Sequence, residues 1–203
     1  MTHEQAFQEE CHVIRLLVEE YKSVGAEYLV RNADSINAIE AYPNNSYIEP
    51  KVVHNISLFL AGALLFHSIS LLEFRMPRLV VGLLISAGHK IPPELETFDE
   101  GNIIDWMKAV FKTVNGVAFD FGNHLTERVA AWIRVRNDLV HNGGYRSSRT
   151  KQRQIDILQG IAVGDAGSLY YVRFAACERA IDDIEAFFRQ AHDSILRVER
   201  ISD

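Results

Sequence analysis

The sequence predicts an all-α protein, a bundle of five to six helices with a small β-hairpin before the last one. Three observations predict it. Apolar residues recur at steps of three and four through most of the 203 residues, one internal helix is apolar nearly all round, and one pair of short strand-like runs flanks a glycine-bearing turn late in the chain. No internal repeat, low-complexity tract or dividing linker interrupts this pattern, so residues 1–203 read as a single domain.

The elements follow in order. Phe7, Cys11, Ile14, Val18, Tyr21 and Tyr28 mark one face of a long amphipathic helix, with Glu9, Glu10, Glu19 and Glu20 between them. Gly25 weakens this helix without ending it. Residues 32–50 turn to Asn, Asp, Ser and Pro, the composition of a loop that has room for a short helix after Asp34. Pro50 suits the start of a second helix over 51–74, whose all-round apolarity places it at the centre of the bundle. Pro77 breaks the pattern, and residues 79–85 form a short third helix closed by Gly88 and the Pro92-Pro93 pair. After a polar loop, helices are expected over 103–118 and 124–140, the second stopped by Asn142-Gly143-Gly144. Ile161-Ala162-Val163 and Leu169-Tyr170-Tyr171-Val172 flank Gly164-Asp165-Ala166-Gly167 as a hairpin. A final helix carries Cys177, Ile181, Ile184, Phe188, Ala191, Ile195 and Val198 on one stripe.

Composition narrows the function. With 48% hydrophobic and 24% charged residues the chain can bury a sizeable core and falls outside the disordered class. Twenty-seven acidic against 21 basic residues give a formal charge of −6, which repels nucleic acid and anionic membrane, so any site for a polyanion must be a local patch. Cys11 and Cys177 make no disulfide framework, and Met1-Thr2-His3-Glu4-Gln5 lacks the start of a secretory signal. The most apolar stretch, residues 56–72, is interrupted by His67, Ser68 and Ser70 and reads as a core helix rather than a membrane span. A cytoplasmic protein without membrane contact is expected.

The chemistry concentrates in residues 132–144. Leu125, Val129, Trp132 and Leu139 form one apolar stripe, and Arg136 projects from its middle. A guanidinium is costly to bury unpaired, so either a carboxylate such as Glu73 accompanies it or the stripe opens onto a cleft or a partner. His141 lies roughly 140° round the helix from Arg136, on the side of Arg134 and Asn137, so the two converge only if the helix ends near His141 or a second subunit contributes. The plain structural reading is an Arg136 paired with a core acid and a His141 capping a helix C-terminus. Local charge favours a functional one: Arg134, Arg136, Arg146, Arg149, Lys151 and Arg153 stand against Asp138 alone, a window of +5 in a chain otherwise at −11. Such a patch suits a phosphate-bearing ligand.

Arg136-Asn137-Asp138-Leu139-Val140-His141, followed by Asn142-Gly143-Gly144, resembles the Arg-polar-x-x-x-His motif of the HEPN superfamily (higher eukaryotes and prokaryotes nucleotide-binding). These are small helical bundles, many of them metal-independent endoribonucleases of toxin–antitoxin and antiviral defence systems. The likeness is close over about ten residues and loose over most of the chain, through the buried helix with Leu71-Leu72-Glu73 and the terminal amphipathic helix. It implies Arg136 and His141 as the catalytic pair with Asn137 beside them, and Glu73 and Asp138 in support. It also implies an RNA partner, a homodimer with a shared active-site cleft, and an antitoxin or defence-system partner. In one subgroup a tyrosine two residues after the motif histidine is modified by a partner nucleotidyltransferase. Here that position is Gly143 and the nearest tyrosine is Tyr145, so the resemblance does not extend to that regulation.

The residue types fit such chemistry. RNA carries its nucleophile in the 2′-hydroxyl, so cleavage needs a group to move protons, which a histidine supplies, and a fixed cation for the phosphorane, which a forked guanidinium supplies. Arg134, Arg146, Arg149, Lys151 and Arg153 are the expected RNA-binding residues. No metal or other cofactor is called for: His54 and His67 are thirteen residues apart, no closely spaced set matches a zinc pattern, and His12, His54 and His67 are expected to be packed helix residues. The dinucleotide, P-loop and nucleophile-elbow glycine motifs are all missing. Tyr170, Tyr171, Phe187 and Phe188 could stack on bases, although their spacing is that of core residues. Two functions follow from this reading. One is a metal-independent endoribonuclease; the other is a non-catalytic RNA- or nucleotide-binding module or assembly partner that keeps the motif.

Overall fold

The computed structural model describes residues 2–31, 49–99, 101–114, 116–163 and 169–199, with side chains for the same residues except 3, 25–31, 49–60, 198 and 199. The expected short helix after Asp34, the hairpin's 164–168 turn, Asn115 and the side chains of Tyr28, His54 and Val198 lie outside them. Among the described residues six α-helices form, with one antiparallel hairpin before the last of them as expected: α1 (His3–Arg31), α2 (Glu49–Ser86), α3 (Ile103–Thr113), α4 (His124–His141), α5 (Gln152–Asp156), β1 (Ile161–Val163), β2 (Tyr170–Val172) and α6 (Phe174–Glu199). A 3₁₀ turn spans Pro93–Leu95. No helix among the described residues is long and apolar enough to cross a membrane.

α1 starts on a reciprocal cap, the Thr2 hydroxyl accepting from the Gln5 amide while the Gln5 side chain accepts from the Thr2 amide. It buries Phe7, Cys11, Ile14 and Val18, and the ring of Phe7 stacks on Phe188 of α6 with centroids 3.9 Å apart. The predicted stripe of α6, from Cys177 to Ile195, is buried throughout. α2 packs against α1, α4 and α6 and so forms the centre of the bundle, as its apolarity foretold. Both cysteines are free and buried, and burial pushes each thiol up to about 12.

Pro77 does not end the second helix. It sits inside α2, and the segment expected as a separate third helix is the last part of the same 38-residue element. A proline there withholds one intrahelical hydrogen bond and costs about 3 kcal/mol. Met76, Leu79, Val80 and Leu84 are all buried around it, each contributing about 1.5–3 kcal/mol, so packing carries the helix past its breaker. α2 stops at Gly88, whose φ of 79° lets its amide reach Ile85 O and the His89 amide reach Leu84 O.

α3 ends at Thr113 instead of 118, because Val114 is extended and Gly116 has a φ of 97°. The chain beyond it brings Phe119 and Phe121 onto Phe111, and Phe119 edge-on to Phe187 at 5.4 Å. α5 was not foreseen; five residues are too few to show a period. β1 and β2 pair in the register Ile161 with Val172, and Gly160 (φ 84°) lets the hairpin lie on α6, where a Cβ would stand 2.7 Å from the Ala176 amide.

Candidate functional site

The site is built on α4, and the rotation of α4 is fixed from α6. Asn123 caps the helix by accepting from the Thr126 amide at 2.8 Å. Asp183, 9% exposed on α6, accepts a bidentate pair from Arg128 at 2.8–3.1 Å and a third bond from the buried Trp132 indole at 2.9 Å. With Val129, Ile133 and Val135 buried, the remaining faces of α4 point two ways. Arg136 turns toward α2, while Arg134 and His141 are exposed on another side.

The carboxylate expected beside Arg136 is Glu73. The Nη2 of Arg136 pairs with Glu73 Oε1, with the two side chains 11% and 20% exposed, and the guanidinium lies 5.9 Å from the centroid of Phe66. Its buried Nε has no hydrogen-bond partner among the described residues. The pairing satisfies the charge of Arg136 within the chain, as the structural reading of that residue required.

His141 opens into a different space. A cleft of about 410 Å³ at the C-terminal end of α4 is lined by Arg134, Asn137 and His141 from the helix and by Ser148 and Arg149 from the loop after it. Arg136 does not line it. One chain therefore gathers an imidazole, two guanidinium groups, an amide and hydroxyls around one opening, and leaves the first residue of the motif outside. The helix ends there because Gly143 and Gly144 take φ of 59° and 85°, so that the amides of Asn142 and Gly144 both reach Asp138 O.

The floor of the cleft is Asp138, 3% exposed. Its Oδ2 accepts from the Thr150 and Tyr170 hydroxyls, each at 2.8 Å, and from the Ser147 amide at 3.2 Å, while Oδ1 accepts from the Asn142 side chain at 2.9 Å. Burial alone would raise its pKa. The bonds from Ser147, Thr150 and Tyr170 outweigh that and hold the carboxyl below its ordinary value. Burial, and then the same contact, push the Tyr170 phenol well above the ordinary tyrosine range.

Among the basic residues, Arg134 and Arg149 reach the cleft; Lys151 and Arg153 are exposed but do not line it, and Arg146 donates to Gln152 at 2.6 Å. His12 and His67 are exposed rather than packed, and His67 stands in an opening between α1 and α2 lined also by Glu10, Val13 and Phe74. Tyr170, Phe187 and Phe188 are core and offer no stacking face. Sequence reasoning missed Ser147 and Thr150 and offered Tyr170 for base stacking rather than as a partner of Asp138, since a buried acid's partners on a loop and a strand leave no spacing to read. The chain matches no model of a known protein family, no curated protein and no solved structure.

Proposed function

We propose that this protein is a metal-independent endoribonuclease that works at the cleft of His141. The observation that carries the reading is the meeting of His141 with Arg134 and Arg149 in one opening, within the single basic stretch of an acidic chain. In the reaction, His141 takes the proton of a ribose 2′-hydroxyl as its oxygen bonds to phosphorus. The same imidazole returns a proton to the departing 5′-oxygen, so the products are a 2′,3′-cyclic phosphate and a 5′-hydroxyl. Arg134 and Arg149 meet the charge that builds on the phosphoryl oxygens. The likeness of residues 136–141 to the HEPN motif adds Arg136 as a catalytic group, supplied by a second copy across a symmetric dimer. By the same likeness the enzyme is a toxin or antiviral effector, held in check by an antitoxin or sensor partner in the cytoplasm.

A second reading has its own support. Arg136 is held by Glu73 and Phe66 away from the cleft, which suits a non-catalytic RNA- or nucleotide-binding module whose motif arginine is structural. Incubating the purified protein with mixed RNA, with and without chelator, decides between them. Cleavage that persists in chelator and leaves cyclic phosphate ends supports the enzyme, with DNA of the same sequence bound but intact. Binding without cleavage supports the module, and cleavage of DNA or dependence on magnesium refutes the mechanism.

A further inference from the structure

The mechanism proposed at His141 gives Asp138 no proton to carry, yet four neutral donors converge on its buried carboxylate from three separate pieces of chain: the end of α4, the loop after it, and β2. The loop contributes at both of its ends. Ser147 gives its amide and Thr150 its hydroxyl, and the Thr150 amide closes back on Ser147 O at 3.1 Å, so residues 147–150 form a four-residue turn pinned at its first and last positions. The two central residues, Ser148 and Arg149, are exposed and line the cleft opposite Asn137 and His141.

We propose that Asp138 is a positioning residue: with Tyr170 it fixes the turn that presents Ser148 and Arg149 to a phosphate of single-stranded nucleic acid in the cleft. This rests on the cleft being the site where RNA binds. A free loop would lose its backbone and arginine side-chain freedom on binding, whereas this turn is ordered when the protein folds, which leaves less to lose at the ligand. A carboxylate is needed because both oxygens must accept. A carboxamide in its place would aim an NH₂ at donors, or leave them with one acceptor in place of two. Tyr170 makes the hairpin part of the device, and the Tyr170 amide, donating to Gly144 O at 3.0 Å, fixes the strand beside the glycines that end α4.

The test is binding of a labelled single-stranded DNA, which lacks the 2′-hydroxyl and stays intact, followed by anisotropy over a range of salt. Arg149→Ala is expected to weaken binding about tenfold and to lower the slope of log affinity against log salt by about 0.7. Asp138→Asn should do the same, and Tyr170→Phe about a third as much, while either change made in the Arg149→Ala protein should cost less than about twofold. Loss that is fully additive with Arg149→Ala, or a salt slope unchanged by Asp138→Asn, overturns the proposal. Should Asp138→Asn not fold, Tyr170→Phe and Thr150→Val carry the same comparison. A wild-type protein that binds this DNA but leaves RNA whole overturns the ribonuclease reading and not this one; one that binds no oligonucleotide overturns both.

Discussion

At the scale of the residue, Arg136 and His141 stand five positions apart and face different surroundings. Arg136 is enclosed with Glu73, so Glu73→Gln leaves a guanidinium nearly buried and unpaired. A fall in stability of about 2–4 kcal/mol is expected in denaturant titration, reduced from the fully buried case because Glu73 keeps some contact with water. His141 is exposed at a helix end, so His141→Ala should leave the melting temperature within about a degree while lowering RNA cleavage about a hundredfold or more. Cleavage retained by that variant removes His141 from the mechanism. Asp138 also links stability to pH. Its folded pKa lies below the ordinary 3.8, so the stabilisation is fully present above that value and is lost as pH falls through the lowered one. Wild type should therefore lose stability more steeply than Asp138→Asn as pH falls below the ordinary carboxylate value, read from melting temperature against pH.

At the scale of the element, the legible parts were those with a period. The stripes of α1 and α6 and the all-round apolarity of α2 are long enough for burial to impose a pattern: Phe7 to Val18 of α1 and Cys177 to Ile195 of α6 are buried as expected, while α2 buries Leu64, Leu65, Ile69, Leu72 and Met76 but leaves Phe66 and Phe74 exposed. What failed was punctuation. Pro77 carries a local signal to stop, which lost to the burial of Met76, Leu79, Val80 and Leu84 on either side, a tertiary effect invisible in a short window. Pro77→Ala should accordingly raise stability, by about 1–2 kcal/mol after allowing for the freer unfolded chain, and a loss of stability would mean that the proline shapes the packing of α2. The site divides along the same line. The helical wheel separated Arg136 from Arg134, Asn137 and His141 and named Glu73 as a companion, because these follow from 100° steps and the cost of a buried charge. The turn at 147–150 and the bond from Tyr170 to Asp138 were hidden because both rest on one carboxylate reached from distant parts of the chain. Gly160 is the converse case, a lone glycine before a strand whose reason is the 2.7 Å approach to Ala176. Gly160→Ala should cost at least about 1–2 kcal/mol in thermal unfolding.

At the scale of the whole molecule, the divergence of Arg136 and His141 sets the question of how many chains make one active site. Within a chain α4 turns them roughly 140° apart, and Glu73 keeps Arg136 on the side of α2. Apolar surface is left open on the same two elements: Val13 and Leu17 of α1 and Phe74 of α2 are exposed around one opening, and Phe66 of α2, also exposed, is the ring beside Arg136. A second copy covering this face would have a dimer mass of about 46 kDa, twice 23.0 kDa, and Phe74→Glu should return it to a monomer in sedimentation. Complementation then tests the shared site directly. Arg136→Ala and His141→Ala are each expected to be inactive, and subunits exchanged at equal ratio form about half heterodimers, each with one site that joins an intact Arg136 to an intact His141 across the two-fold axis. Cleavage should recover to about a quarter of the wild-type rate. No recovery, with Arg134→Ala and Arg149→Ala equally inactive, would mean that the cleft of a single chain does the chemistry and that Arg136 serves only to hold α4 against α2.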